Sequence, residues 1–369
     1  MRIAICPDKF KGSLSALKVA EALEAGFREV YPDAEYHLVP IADGGEGTAE
    51  LFVQVLGGEW RQVTTSDALG RTIDASYVWL PGTKTAVIEM SAAAGLWRLA
   101  ETELAPLAAS TRGVGDMIRH AVEDGATTIL VGLGGSATND AGAGLAAALG
   151  WRFQDQEGRD VNPVPENFSK ITRVLPPATP LPAQVRGLCD VRNPLLGPEG
   201  ATHVYGPQKG ATPELVVRLE SALTHLADAC ARDVGADFRT VPGSGAAGGL
   251  GFGLLTFAQA DIVSGFDAVE ELLSLKEQIA AADLVLTGEG RIDHQSLHGK
   301  GPAEIARLAQ AHGKPVLAFA GSAEDAGGLF DAIIPIADGP LTLDESRRRA
   351  AELLRQAAER TARLLKIAL

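Results

Sequence analysis

One pattern recurs along this chain and limits what it can fold into: a short apolar run, a glycine-rich turn, then a stretch with helical periodicity. The clearest instance spans Thr128 to Gly150. Ile129, Leu130 and Val131 are apolar without alternation, as in a strand buried on both faces. Gly132-Leu133-Gly134-Gly135-Ser136-Ala137-Thr138-Asn139-Asp140 follows, and Ala141 to Leu149 reads as a small-residue helix closed by Gly150. A strand, a glycine turn and a helix start leave backbone N–H groups and a helix dipole facing whatever sits there. The turn is therefore a candidate anion site, with Ser136, Thr138 and Asn139 as further donors. An ordinary tight turn needs the same glycines, and this stretch alone leaves both readings open.

Strands near 3–6, 35–40, 283–287, 316–320 and 332–336 alternate with helices, so the N- and C-terminal segments are expected to share one parallel sheet. The fold class is α/β: two α/β domains, one a flavodoxin-like or Rossmann-like parallel sheet, the second inserted into it, with a cleft between them for a small ligand. From Glu59 the texture changes. Val63, Thr65, Ile73, Ala75, Tyr77 and Trp79 alternate around Asp67–Arg71, as antiparallel strands do. The expected domains are 1–60 plus 281–369, and 61–280. Arg152 to Pro182 is proline-rich and carries no clear period. Thr342 to Glu345 forms a capping box for a final helix to about Ile367, whose basic residues read as a solvated face.

Charge narrows the partners. The 369 residues include 33 Lys+Arg and 47 Asp+Glu, so the formal net charge is 33 − 47 = −14. That balance argues against nucleic acid and anionic membrane. A small anion is still acceptable, because local donors outweigh distant, screened charge. Three cysteines without metal-type spacing indicate a reducing, cytoplasmic setting. No basic-then-apolar leader opens the chain, and the apolar region Gly245–Ala260 is too short and glycine-laden to span a bilayer. Monomer and homodimer are both compatible with these features.

Four further turns carry chemistry. Pro7-Asp8-Lys9-Phe10-Lys11-Gly12-Ser13 follows the first strand, where open α/β sheets bind ligands. Ala42-Asp43-Gly44-Gly45-Glu46-Gly47 follows the second; its carboxylates suit a metal or a substrate hydroxyl, or simply a turn before a helix. Asp190 ends a strand over 185–189, and Gln208-Lys209 lie in a glycine-proline loop, so a base and a cation could be paired there. Thr287 is followed by Gly288-Glu289-Gly290-Arg291-Ile292-Asp293, two more carboxylates with an arginine. Gly243-Ser244-Gly245-Ala246-Ala247-Gly248 fits G-x-G-x-x-G, but no strand precedes it and no βαβ unit surrounds it, which makes a dinucleotide site a chance match.

In sequence order, PDKFKGSLSA, PIADGGEGTAE, GLGGSATNDAGAG, CDVRNPLLGPEGA with GPQKGAT, and LVLTGEGRIDHQSLHGKGP resemble the bacterial glycerate kinase family of the glycerate 2-kinase type. The resemblance runs from Arg2 to about Asp338. It implies transfer of a phosphoryl group from ATP, with Mg²⁺, to D-glycerate, giving 2-phosphoglycerate. No G-x-x-x-x-G-K-[ST] loop is present, in keeping with that family. Phosphoryl transfer needs positioning, charge neutralisation and a group that orients the attacking hydroxyl. On this reading Asp190, Lys9 and Asp43 are catalytic. Lys11, Ser13, Asn193, Lys209 and Arg291 bind substrate. Gly134, Gly135, Ser136, Thr138 and Asn139 cradle the nucleotide, and Glu289 and Asp293 hold the metal. Roles among the carboxylates stay interchangeable. Two rival readings are an NAD-dependent hydroxy-acid dehydrogenase using Gly243–Gly248 and a non-catalytic small-anion-binding protein.

Overall fold

A computed structural model of the chain describes residues 1–41, 48–235, 237–293, 301–324 and 328–368. Its strands are β1 (Arg2–Ile5), β2 (Glu35–Leu38), β3 (Glu59–Ser66), β4 (Thr72–Leu80), β5 (Thr85–Glu89), β6 (Thr128–Gly132), β7 (Arg152–Gln154), β8 (Arg173–Leu175), β9 (Gln184–Leu188), β10 (Asp261–Val263), β11 (Leu284–Ile292), β12 (Val316–Ala323) and β13 (Ala332–Pro335). The chain divides into two compact units, Met1–Asp43 with Phe266–Leu369, and Gly44–Gly265. These limits differ from 60/61 and 280/281. The helix Thr48–Leu56 belongs to the second unit because it packs on β4 and β5, and Leu275–Ala281 belongs to the first because it packs on β1.

In the first unit a five-stranded parallel sheet runs in the order β13-β12-β11-β1-β2. Numbered within the unit, this is 2-1-3-4-5, the flavodoxin-like rather than the Rossmann order. Ile3, Ile5, Leu284, Leu286, Leu317 and Phe319 supply one apolar face. The helices Ala16–Arg28 and Ala350–Ala368 cover it with Leu23, Phe27, Leu353 and Leu354. Phe27 meets Phe319 edge-on, ring centroids 6.5 Å apart, and each such buried side chain stabilises the unit by about 1.5–3 kcal/mol. Two expectations change here. The third strand does not stop at Thr287: β11 stays paired with β12 as far as Ile292, so Glu289 and Arg291 stand on a strand rather than in the loop beyond it. The final helix is two helices, Leu343–Arg348 and Ala350–Ala368, broken at Arg349.

In the second unit a six-stranded sheet has the order β10-β9-β6-β5-β4-β3. Its first four strands are parallel, and β4 and β3 continue it antiparallel, matching the alternation of Ile73 to Trp79. The helix Arg112–Glu123 packs its Val114, Met117, Ile118 and Ala121 against Ile129 and Val131. The proline-rich segment is ordered by burial. Phe153, Phe168, Ile171 and Val174 pack against Leu223, Leu226 and Cys230 of the helix Pro213–Val234. The expected helix 141–149 is shorter, Ala143–Ala148, because Ala141 and Gly142 sit at positive φ. Among the described residues no helix is long and apolar enough to cross a membrane.

Candidate functional site

The predicted site residues fall into two clusters, one on each unit. In the first unit, β1 and β11 are the neighbours from which the chain continues in opposite directions across the sheet, so their carboxyl ends form the switch point of an open α/β sheet. The segment after β1 stays tied to β11: Cys6 N–H donates to Leu286 O at 2.7 Å and Asp8 N–H to Gly288 O at 2.8 Å. It then folds back, with Phe10 N–H donating to Leu14 O and Gly12 at φ +73°. Lys9, Lys11, Ser13, Glu289 and Arg291 are thereby brought to one pocket of about 560 Å³.

This pocket has a cationic wall. Among the described residues, Lys9, Lys11, Arg291 and Arg347 line it, against one carboxylate, Glu289. Arg291 is partly neutralised by Asp293 at 3.1 Å and by Glu324 at 3.0 Å. Such a wall suits a small acid or a phosphoryl group. Arg347 escaped the sequence reading. It comes from the helix Leu343–Arg348, which is anchored when the Ser13 hydroxyl donates to the Arg347 carbonyl at 2.8 Å across 334 positions of sequence. The capping box at Thr342 announced the helix start, but nothing local announced where its basic residues would face. Asp43 lies outside the described residues.

In the second unit the turns after β6 and β9 emerge side by side, since these strands pair in parallel. Asp190, exposed just beyond β9, accepts hydrogen bonds from Ser264 Oγ at 3.1 Å and Gly265 N–H at 3.2 Å. The glycine loop 133–140 presents Gly134 and Gly135 to solvent, with Gly135 at φ +69°. Below them Ser136 is 7% exposed, while Thr138, Asn139 and Asp140 are wholly buried. Thr138 Oγ1 and Asn139 Oδ1 are buried without a hydrogen-bond partner.

Several expected contacts take a different form. Lys209 is not at the surface: it is 1% exposed, and its Nζ donates to Ser136 Oγ and Thr138 O, both at 2.7 Å. Asn193 spends its amide internally, with Nδ2 donating to Glu199 O at 2.7 Å and Oδ1 accepting from the Tyr205 hydroxyl at 2.8 Å. Both residues shape loops rather than offer themselves to a ligand. Thr138 and Asn139 likewise lie under the loop, not on it. Burial pushes the Asp140 carboxyl up against the pull of hydrogen bonds from Thr111, Gly144 and Gly142. Burial pushes Lys209 down to about 7, opposed by the charge of Asp140.

The G-x-G-x-x-G match has a packing role. Gly248, at φ +69°, lies so close to the glycine loop that a Cβ there would stand 1.9 Å from Thr138 O. A Cβ at Gly245 would stand 2.1 Å from Pro194 O. The segment wedges beneath the two loops that carry Ser136 and Asp190, and its glycines serve close packing, not a pyrophosphate.

These features define an α/β enzyme that acts on small anionic substrates. Comparison with known proteins is more specific. A model of the glycerate kinase family matches residues 3–366. The chain is 42% identical to the glycerate 2-kinase of Escherichia coli and 41% identical to the glycerate kinase of Bacillus subtilis, each alignment covering 100% of this chain and 98% of the relative. A crystal structure from Salmonella typhimurium LT2, provisionally named glycerate kinase 2, superposes with a TM-score of 0.91 at 42% identity, covering 100% of this chain and 99% of the other. The chain belongs to the glycerate kinase family. Its chemistry is phosphoryl transfer, with ATP implied as donor. Neither the dehydrogenase nor the non-catalytic binder gains support.

Proposed function

We propose that this enzyme phosphorylates the 2-hydroxyl of D-glycerate with ATP and Mg²⁺, releasing 2-phosphoglycerate and ADP. The observation that carries the reading is the cationic pocket at the switch point of β1 and β11. Lys11 and Arg347 bind the glycerate carboxylate, and Lys9 neutralises charge on the phosphoryl group in flight. On the second unit the exposed Gly134–Gly135 turn, with Ser136 just beneath it, takes the nucleotide phosphates. Asp190 orients the hydroxyl: its oxygen attacks the γ-phosphorus, the bond to the β,γ-bridging oxygen breaks, and the hydroxyl proton passes to the carboxylate. Asp43 is assigned to the same hydroxyl from its motif alone.

Mg²⁺ asks for oxygen ligands and is often held by only one or two carboxylates. Among the described residues no group of three or more His, Cys, Asp or Glu side chains converges as a metal cage. Glu289 and Asp293 are chemically suited, and a cation at Asp293 would take over the place of Arg291. Bound there, the ion would neutralise phosphate charge. We place the reaction in a reducing cytosol, a reading supported by three cysteines that form no disulfide, two of them buried.

An assay coupling ADP release to D-glycerate tests the reading. ADP should appear only with glycerate and Mg²⁺ both present. Release that is independent of glycerate would overturn it.

A further inference from the structure

Lys209 is a cation that the catalytic reading leaves unused. Stripping water from an ammonium is costly, and a fully buried lysine is rare unless it is paired or hydrogen-bonded. Among the described residues no carboxylate lies within ion-pair distance of this one. Its compensating charge is that of Asp140, acting through space. Its two hydrogen bonds both converge on the glycine loop from below. The second bond takes up the carbonyl of Thr138. The first has a consequence for Ser136. Because Oγ accepts a hydrogen bond from the ammonium, the hydroxyl keeps its own proton to donate elsewhere. Gly134 and Gly135, the exposed residues of the loop, are its immediate neighbours.

We propose that Lys209 is a positioning residue of the nucleotide loop: anchored beneath it, the ammonium fixes Ser136 and Thr138 so that the Ser136 hydroxyl and the Gly134–Gly135 backbone are presented to the phosphate chain of a nucleoside triphosphate. This rests on the assignment of the loop to nucleotide made above. Lys209 touches no substrate. It acts through Ser136, and its charge lies directly beneath the anion. The structure supports a switch in the same contact. Burial lowers Lys209 to about 7, so the ammonium loses its proton within the ordinary working range. Neutral Nζ can accept from Ser136 rather than donate to it. The hydroxyl then turns inward, and the loop loses a donor and a charge together. The charged group that faces Lys209 is Asp140, held by Thr111, Gly142 and Gly144.

The test is calorimetric binding of Mg·ADP to the full-length enzyme and to K209M, S136A and the double variant, at about pH 6 and pH 8.5. Wild-type affinity should fall between the two pH values. K209M should bind about ten- to hundredfold more weakly at pH 6, the loss of one charge-assisted hydrogen bond, and should show no such fall with pH. S136A should lose affinity, and the double variant should bind no more weakly than K209M, since both changes break one contact. The KM for D-glycerate should stay unchanged. Wild-type affinity in K209M at both pH values, or strict additivity of the two substitutions, overturns the inference. If K209M fails to fold, S136A decides it: undiminished ADP affinity in that variant is contrary to the proposal. A wild-type enzyme that binds no ADP overturns the loop assignment and this inference with it, whereas binding that ignores both substitutions overturns this inference alone.

Discussion

Replacing Asp140 by Asn removes the charge that makes a buried lysine tolerable. Asp140 Oδ2 accepts from Thr111 N–H and Thr111 Oγ1, both at 2.8 Å, and from Gly144 N–H at 3.1 Å, while Oδ1 accepts from Gly142 N–H at 3.2 Å. An asparagine can place its oxygen toward Thr111 and Gly144, but its amide then confronts the Gly142 N–H, donor against donor. It also leaves Lys209 without its compensating charge. Leaving the Gly142 N–H unsatisfied and the buried ammonium without that through-space charge should cost about 1–3 kcal/mol. In a unit of this size each kcal/mol shifts Tm by about 2–4 °C, so differential scanning calorimetry should show a drop of roughly 2–12 °C in the transition of the second unit. The loss should depend on pH. Burial takes Lys209 from its ordinary 10.5 to about 7. Between those values the unfolded chain holds the extra proton, so raising the pH favours the folded state; below about 7 both states are charged and the full burial penalty applies. The charge of Asp140 offsets that penalty. Its removal should therefore cost most near pH 6 and least near pH 8.5, where Lys209 is largely neutral. A loss under about 1 kcal/mol, or one that is equal at the two pH values, would refute the account of Asp140 as the counter-charge of Lys209.

Asp190→Asn should lower kcat by about 10²- to 10⁴-fold with an unchanged melting curve, measured by steady-state ADP release. Near-normal turnover would remove Asp190 from the chemistry. Arg347→Ala should raise the KM for D-glycerate about tenfold or more and leave the KM for ATP alone, through the loss of a charge-assisted contact with the carboxylate; an unchanged glycerate KM would place Arg347 outside the site. Gly248→Ala should destabilise the second unit by more than 1 kcal/mol, because its Cβ would meet Thr138 O at 1.9 Å with φ at +69°. A wild-type urea midpoint for that variant would contradict the packing role given to the Gly243–Gly248 segment.

Much of the parallel sheet was readable because strands such as Ile3–Cys6 and Leu284–Leu286 are buried on both faces and carry an unbroken apolar run. The switch-point rule likewise puts Lys9 and Lys11 at a sheet's carboxyl end from sequence alone, and the pocket brings them together with Glu289 and Arg291. What local pattern could not reveal was depth. Lys209 sits in a Gly-Pro-rich loop, where lysine ordinarily meets water; only the packing of that loop against residues 136–140 takes it out of solvent. The extension of β11 through Gly288 and Gly290 was hidden because glycine reads as a strand end, although here Gly288 allows close approach to Phe319 of β12 and Gly290 lies beside Phe10 and Lys11. Arg347 was read as a solvated helix face because its partner, Ser13, is at the other end of the chain.

The central claim is that this chain moves the γ-phosphoryl of ATP to the 2-hydroxyl of glycerate. Phosphorus NMR of the purified enzyme incubated with ATP, Mg²⁺ and D-glycerate tests it most directly. The resonance and proton coupling of 2-phosphoglycerate should grow in step with ADP. A 3-phosphoglycerate signal, or inorganic phosphate alone, would contradict it.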